Sequence, residues 1–190
     1  FERLEDLVPM TEPELKVEFN SIVARHEQGE TAAASMRQIR RRETLRIAMG
    51  AVLGELSLGQ ISQALSDLTA CYVRGMLDVV VELPGSSVHA DKPLESLDFG
   101  IIAMGRFGGE ELGFGSDADV MFVYEPLPGI IPELAQKTAE RIISDLKLLA
   151  ADPLLEFELD LDLRPEGKNG PNARSLDSYR AYYERWADTW

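Results

Sequence analysis

Gly105-Arg106-Phe107-Gly108-Gly109-Glu110-Glu111-Leu112-Gly113-Phe114-Gly115-Ser116-Asp117-Ala118-Asp119-Val120-Met121-Phe122-Val123-Tyr124 is the stretch on which the reading of this 190-residue chain turns. Gly105, Gly108, Gly109, Gly113 and Gly115 fall close together. That density costs chain entropy unless the backbone must come close to something, and glycine-rich turns let N–H groups close around an anion. The loop then meets Asp117 and Asp119, which enter an apolar run, Val120 to Tyr124, read as a strand. In a strand, residues i and i+2 point the same way, roughly 6.5–7 Å apart. Two ionised carboxylates held that close repel each other unless a cation lies between them. Magnesium favours a few carboxylates completed by substrate phosphates. The loop therefore reads as a site for a metal-bound polyphosphate. Ser116 adds a hydroxyl and Arg106 a cation. The competing reading is a flexible hairpin connection with an exposed acidic turn.

Outward from this stretch the chain divides into two halves. Phe99 to Met104 is a first short strand before the loop. Beyond Pro126 and Pro128, residues Glu133 to Ala150 carry helical spacing through Leu134, Ile142, Ile143, Leu146 and Leu149. Leu154 to Leu163 alternates and reads as a third strand. Glu156, Glu158, Asp160 and Asp162 share one face of it, and Phe157, Leu159, Leu161 and Leu163 the other. Asp160 is taken as a third metal carboxylate, Glu156 and Glu158 as a solvated face. Arg164, Lys168 and Arg174 follow in a polar loop with Gly167 and Gly170, placed to meet phosphates or to balance the acidic strand. Ser175 caps a last helix with an aromatic stripe, Tyr179, Tyr182, Tyr183, Trp186 and Trp190, read as packing.

Before residue 95 the period is helical. A first helix carries Leu15, Val17, Phe19, Ile22 and Val23. A second runs from Ala32 to Glu55 through Met36, Ile39, Leu45, Ile47, Met49 and Leu53. Ser57 and Gln60 form a capping box for a third, ended by Pro84-Gly85-Ser86-Ser87. Arg37, Arg40, Arg41, Arg42 and Arg46 cluster on the second helix, either as a solvated face or as a dock for an acidic partner or nucleotide phosphates. The expected fold is α+β: a helical bundle over residues 1–95, then a catalytic core with a small mixed sheet over residues 96–190.

The net charge of −14 argues against a basic nucleic-acid-binding surface. No run of 18 apolar residues suggests a membrane span. The single cysteine, Cys71, falls in an apolar helical pattern, which fits a buried thiol and a reducing compartment. With no leader recognised, the expectation is cytoplasmic. His26 and His89 lack partners at metal-ligand spacing. The chain begins at Phe1 and stops at Trp190 within an apparent helix, so it is read as part of a longer protein.

The order Gly108-Gly109, Asp117-x-Asp119 and a later strand carboxylate resembles the nucleotidyltransferase fold shared by DNA polymerase beta. Three longer strings resemble glutamine synthetase adenylyltransferases: Met104 to Asp119, Leu163 to Pro171, and Ser175 to Trp186. Arg40-Arg41-Arg42-Glu43-Thr44-Leu45-Arg46-Ile47-Ala48 is similar to the helical segment before the catalytic core in that family. The Gly113 to Val123 string looks like the C-terminal, adenylylating half of actinobacterial members. The resemblance implies AMP transfer from ATP to a tyrosine of glutamine synthetase in nitrogen assimilation. The related half of the family enzyme removes AMP by phosphorolysis, giving ADP. It implies two magnesium ions held by Asp117, Asp119 and Asp160. It also implies ATP phosphates met by Gly108, Gly109, Ser116, Arg106, Arg164 and Lys168. Asp160 matches the third carboxylate and would take the tyrosine proton. Asp162 stands where a basic residue is common. A PII-type signal protein is an implied partner of the full-length enzyme. The reading from another class is a non-catalytic module binding nucleotide or a signal protein.

Overall fold

A computed structural model of the chain describes residues 7–87 and 92–186. Three long helices open it: α1 (Glu12–Arg25), α2 (Gly29–Val52) and α3 (Leu58–Glu82). The start signals act as the sequence predicts. Ser57 accepts the Gln60 amide while the Gln60 side chain accepts the Ser57 amide at 2.9 Å, closing the capping box of α3. Thr11 and Glu14 do the same for α1. α2 stops at Val52, short of the expected Glu55, because Gly54 takes a left-handed turn (φ 76°). Leu15, Phe19, Met36, Ile39, Ile47, Tyr72 and Met76 are buried where these helices pack together. Val17, Leu45 and Leu53, apolar residues of the expected helices, are exposed, as is Leu134 further along the chain, which the helical spacing there places facing inward.

The second part comprises β1 (Leu97–Ala103), a four-residue helical turn α4 (Gly105–Gly108), β2 (Ala118–Pro126), α5 (Pro132–Ala150), β3 (Leu159–Asp160), β4 (Ala173–Ser175) and α6 (Leu176–Trp186). The sheet is mixed and centred on β2. β1 runs antiparallel along one edge of β2, with Leu97 opposite Pro126 and Ala103 opposite Val120. The other edge is shared by two parallel strands. β3 pairs with its start (Ala118 with Leu159, Asp119 with Asp160) and β4 with its middle (Phe122 with Ala173, Tyr124 with Ser175). α5 lies against the sheet and against α3, so the buried apolar residues run without a break from Leu15 to Ala173.

Three expectations needed correction. The strand from Leu154 to Leu163 contracts to Leu159–Asp160. Its earlier carbonyls are taken elsewhere: the Arg40 guanidinium donates to Leu155 O (2.8 Å) and Glu156 O (2.9 Å), so this backbone is satisfied without a ladder. Alternation still persists in burial, with Leu159 and Leu161 inside and Glu156, Glu158 and Asp162 outside. The glycine-rich loop opens as the turn α4. And β4 lies inside what reads as a polar loop, three residues being too few to show a period. Ser175 caps α6 as expected, its Oγ accepting the Ser178 amide (3.2 Å). The aromatic stripe is not uniformly packed. Tyr179 is buried and donates to Phe122 O (3.2 Å), whereas Tyr183 and Trp186 are exposed. Trp190 and His89 lie outside the described residues.

Candidate active site

The site forms where β1 ends, β2 begins and β3 joins it. Asp119 and Asp160 face each other as register partners of adjacent parallel strands. Asp117 sits two residues earlier and exposed, just outside β2. The Asp119 carboxyl titrates above the usual aspartate range. Partial burial is the largest cause, followed by the negative charges of Asp160 and Asp117, while Arg106 acts the other way. Asp160 thus lies beside Asp119 on the neighbouring strand.

Local chemistry fixes these carboxylates. The Met104 amide donates to Asp119 O (2.8 Å), extending the β1–β2 ladder one step beyond the strand. Gly105 then turns left-handed (φ 51°) directly against the Asp119 carboxylate, and a Cβ there would collide with Asp119 Oδ2. Gly108 is equally tight, a Cβ landing 2.6 Å from Ala103 O. Asp160 Oδ1 accepts the Asp162 amide (2.7 Å), a local turn that aims the carboxylate and ends β3.

The other expected site residues divide into two groups. Arg106 and Gly109 are exposed beside the carboxylates on the α4 flank. The amides of Gly108 and Gly109 donate to Met104 O and Gly105 O within the turn. Ser116 Oγ accepts the Gly113 amide (3.1 Å), so this hydroxyl shapes its own loop and keeps its proton to donate. On the far side, Arg164 braces the following loop, donating to Leu161 O (2.7 Å) and Gly170 O (3.2 Å). Lys168 is exposed and pairs with Asp162 at 3.1 Å, and Arg174 pairs with Glu166 at 2.8 Å. Asp162 therefore engages the nearby cation Lys168.

Among the described residues, no three His, Cys, Asp or Glu side chains are gathered into a ready-made metal cage. The donor set nonetheless suits a hard divalent cation bound with its substrate. It offers oxygen ligands, mutual repulsion that a cation would relieve, and a backbone pressed so close to Asp119 that only glycine fits.

One feature escaped the sequence reading. Three of the five arginines of the α2 cluster form a clasp on the segment leading to Asp160 rather than a solvated face. Arg37 donates to Leu149 O (2.7 Å), Arg40 holds Leu155 and Glu156, and Arg41 pairs with buried Asp152 at 3.3 Å. The Arg40 guanidinium also lies 4.7 Å from the Phe157 ring centre and 5.5 Å from that of Tyr72. Arg42 and Arg46 face the other way, onto Glu18 and Glu43. The spacing holds the signal: 37, 40 and 41 share one side of a helix, 42 and 46 another.

Residues 4–190 match the profile of a family described as Glutamate-ammonia ligase adenylyltransferase. Three relatives share the description bifunctional glutamine synthetase adenylyltransferase/adenylyl-removing enzyme. One, from Leifsonia xyli subsp. xyli, is 47% identical over 186 residues, covering 98% of this chain and 18% of the relative. A second, from Cutibacterium acnes, is 40% identical over 186 residues, again 98% and 18%. A third, from Streptomyces coelicolor, is 37% identical over 201 residues, 97% and 19%. The chain thus spans about a fifth of the length of these relatives.

Proposed function

The chain belongs to the glutamate-ammonia ligase adenylyltransferase family, and from that premise we propose that it transfers AMP from ATP to a tyrosine of glutamine synthetase, releasing pyrophosphate. The observation that carries this reading is the apposition of Asp119 and Asp160 on neighbouring strands, with the glycine turn α4 against one of them. The arrangement suits a nucleotidyltransferase core of the DNA polymerase beta kind, residues 96–190, preceded by a helical subdomain over residues 1–95.

Asp117, Asp119 and Asp160 would hold two Mg2+ ions. When bound, these supply the positive charge that neutralises the triphosphate and the pyrophosphate leaving group. The phosphates fit the α4 flank, where Gly108, Gly109 and Arg106 are exposed, while Ser116, on the 112–117 loop beside Asp117, keeps a proton to donate. Asp160 is oriented through one oxygen by the Asp162 amide, and its carboxylate would accept the phenolic proton. The tyrosine oxygen bonds to the alpha phosphorus as the bond from that phosphorus to the bridging oxygen breaks. Pyrophosphate carries away the electron pair. Arg164 acts by holding the loop after β3, and Lys168, exposed on that loop, balances Asp162.

The relatives' shared description names both addition and removal of an adenylyl group, so direction is part of the test. With labelled ATP and unmodified glutamine synthetase, label should pass to protein, and Asp160→Asn should lower the rate by about 100-fold or more. Release of ADP from adenylylated glutamine synthetase on adding phosphate alone would assign this chain the removing reaction instead. The same reading places the chain in the cytoplasm, with a PII-type signal protein acting through the full-length enzyme. Among the described residues, no helix is long and apolar enough to cross a membrane.

A further inference from the structure

A cleft of about 230 Å³ opens beside Asp117, between α2, α3, the 112–117 loop and the 155–158 segment. Its floor is apolar, with Leu65, Leu68, Leu112 and Phe157 among its lining residues. Its acidic rim is formed by Asp117, Glu156 and Glu158. Arg40 also lines it, but the guanidinium is engaged by Leu155 O and Glu156 O.

The two edges of β2 differ in chemistry. On the β1 edge stand the glycine turn and Arg106, which suit anionic phosphates. On the β3 edge stand Asp160 and, just before it, Glu156 and Glu158, which repel them. A triphosphate therefore takes the first flank and leaves the second to the group that receives AMP. We propose that this cleft is the acceptor pocket and takes the phenolic side chain of a tyrosine on the protein substrate. The ring lies on the apolar floor near Phe157, and the hydroxyl leaves the cleft past Asp117 towards Asp160, the carboxylate that takes its proton. A carboxylate rim accepts from a hydroxyl donor. A serine or threonine hydroxyl, lacking a ring, would leave the apolar floor wet. Adenine is the competing occupant, since it too is flat, but its attached phosphates would be drawn towards Glu156 and Glu158.

The inference rests on the AMP-transfer reading, yet its test does not need turnover. The 15N-labelled chain is titrated with N-acetyl-tyrosinamide, and separately with N-acetyl-serinamide and with adenosine. Saturable amide shifts at Leu65, Thr69, Leu112 and Phe157 are expected with the tyrosine probe alone. Thr69 is half-buried at the cleft wall. Thr69→Phe should therefore fill the cleft and abolish those shifts while calorimetry still records Mg-ATP binding. It should also raise KM for the protein acceptor about tenfold, leaving KM for ATP in place. No shifts at these residues with the tyrosine probe in the wild-type chain, or the same shifts with adenosine, would overturn the assignment. If the tyrosine shifts appear but AMP is not transferred, the proposed reaction fails and the aromatic cleft stands.

Discussion

Asp119 carries a charge that its surroundings resist. Its carboxyl protonates more readily in the folded chain than in the unfolded one, chiefly through burial and then through Asp160 and Asp117. The sign follows from linkage: ionised Asp119 weakens the fold above its raised pKa, and the penalty fades as pH falls towards the ordinary aspartate value. Asp119→Asn should therefore raise Tm at neutral pH, with the gain shrinking in acid. Mg2+ should raise the Tm of the parent chain but not that of the variant, and equal shifts in both would remove Asp119 from the ion site. Gly105 gives the complementary experiment. Gly105→Ala combines a left-handed backbone with a collision on Asp119 Oδ2 and should cost about 1 kcal/mol or more in urea unfolding. The crowding of glycines was legible in the sequence. Which glycine abuts which carboxylate was not, because that depends on how β1 lies on β2. Asp160 could be picked out by parity on its strand, but its pairing with Asp119 rests on a two-residue ladder no period can reveal.

Between elements, the arginine clasp sets the position of β3. So short a strand holds little of its own alignment, and the segment before it hangs on Arg40 and Arg41 of α2. Arg40→Met keeps the aliphatic stem but abandons the part-buried Leu155 carbonyl, the exposed Glu156 carbonyl and the contacts with Tyr72 and Phe157. A loss of about 2–3 kcal/mol is expected in chemical denaturation, and AMP transfer should fall with it because Asp160 is displaced. Stability within 0.5 kcal/mol of the parent, on the order of a surface change, would show that the clasp is incidental. The long helices were readable because periods and caps repeat over many residues, as at Ser57 and Gln60. The stretch from Leu154 to Leu163 misled because its alternation is real while the carbonyls of Leu155 and Glu156 go to one side chain, Arg40, more than a hundred positions away. Sequence pattern reports which face is apolar, not which donor satisfies a carbonyl.

Across the molecule, helices and sheet share one continuous core, and α3 serves both. Unfolding followed by far-ultraviolet circular dichroism and by the buried Tyr72 environment should therefore give one coincident transition, and two separated midpoints would show independent parts. Cys71 offers a chemical probe of the same core. Burial pushes its thiol up to about 11, so Ellman's reagent at pH 8 should leave the folded chain unmodified and titrate one thiol in guanidinium. The α+β class was legible at this scale because helical and strand periods occupy different halves of the chain. The way α5 joins the halves through Tyr72, whose hydroxyl donates to Ala150 O (2.7 Å), was not. The clasp also changes how the protein meets its solution. Arg37, Arg40 and Arg41 point their guanidinium groups onto backbone carbonyls and Asp152 instead of out to solvent. With a net charge of −14 the long-range field is that of a strongly anionic body, and these arginines do little to put local positive charge on its surface. A free polyanion is slowed on approach and its magnesium complex less so. A macromolecule arriving with a basic surface is drawn in at a rate that falls as salt is added.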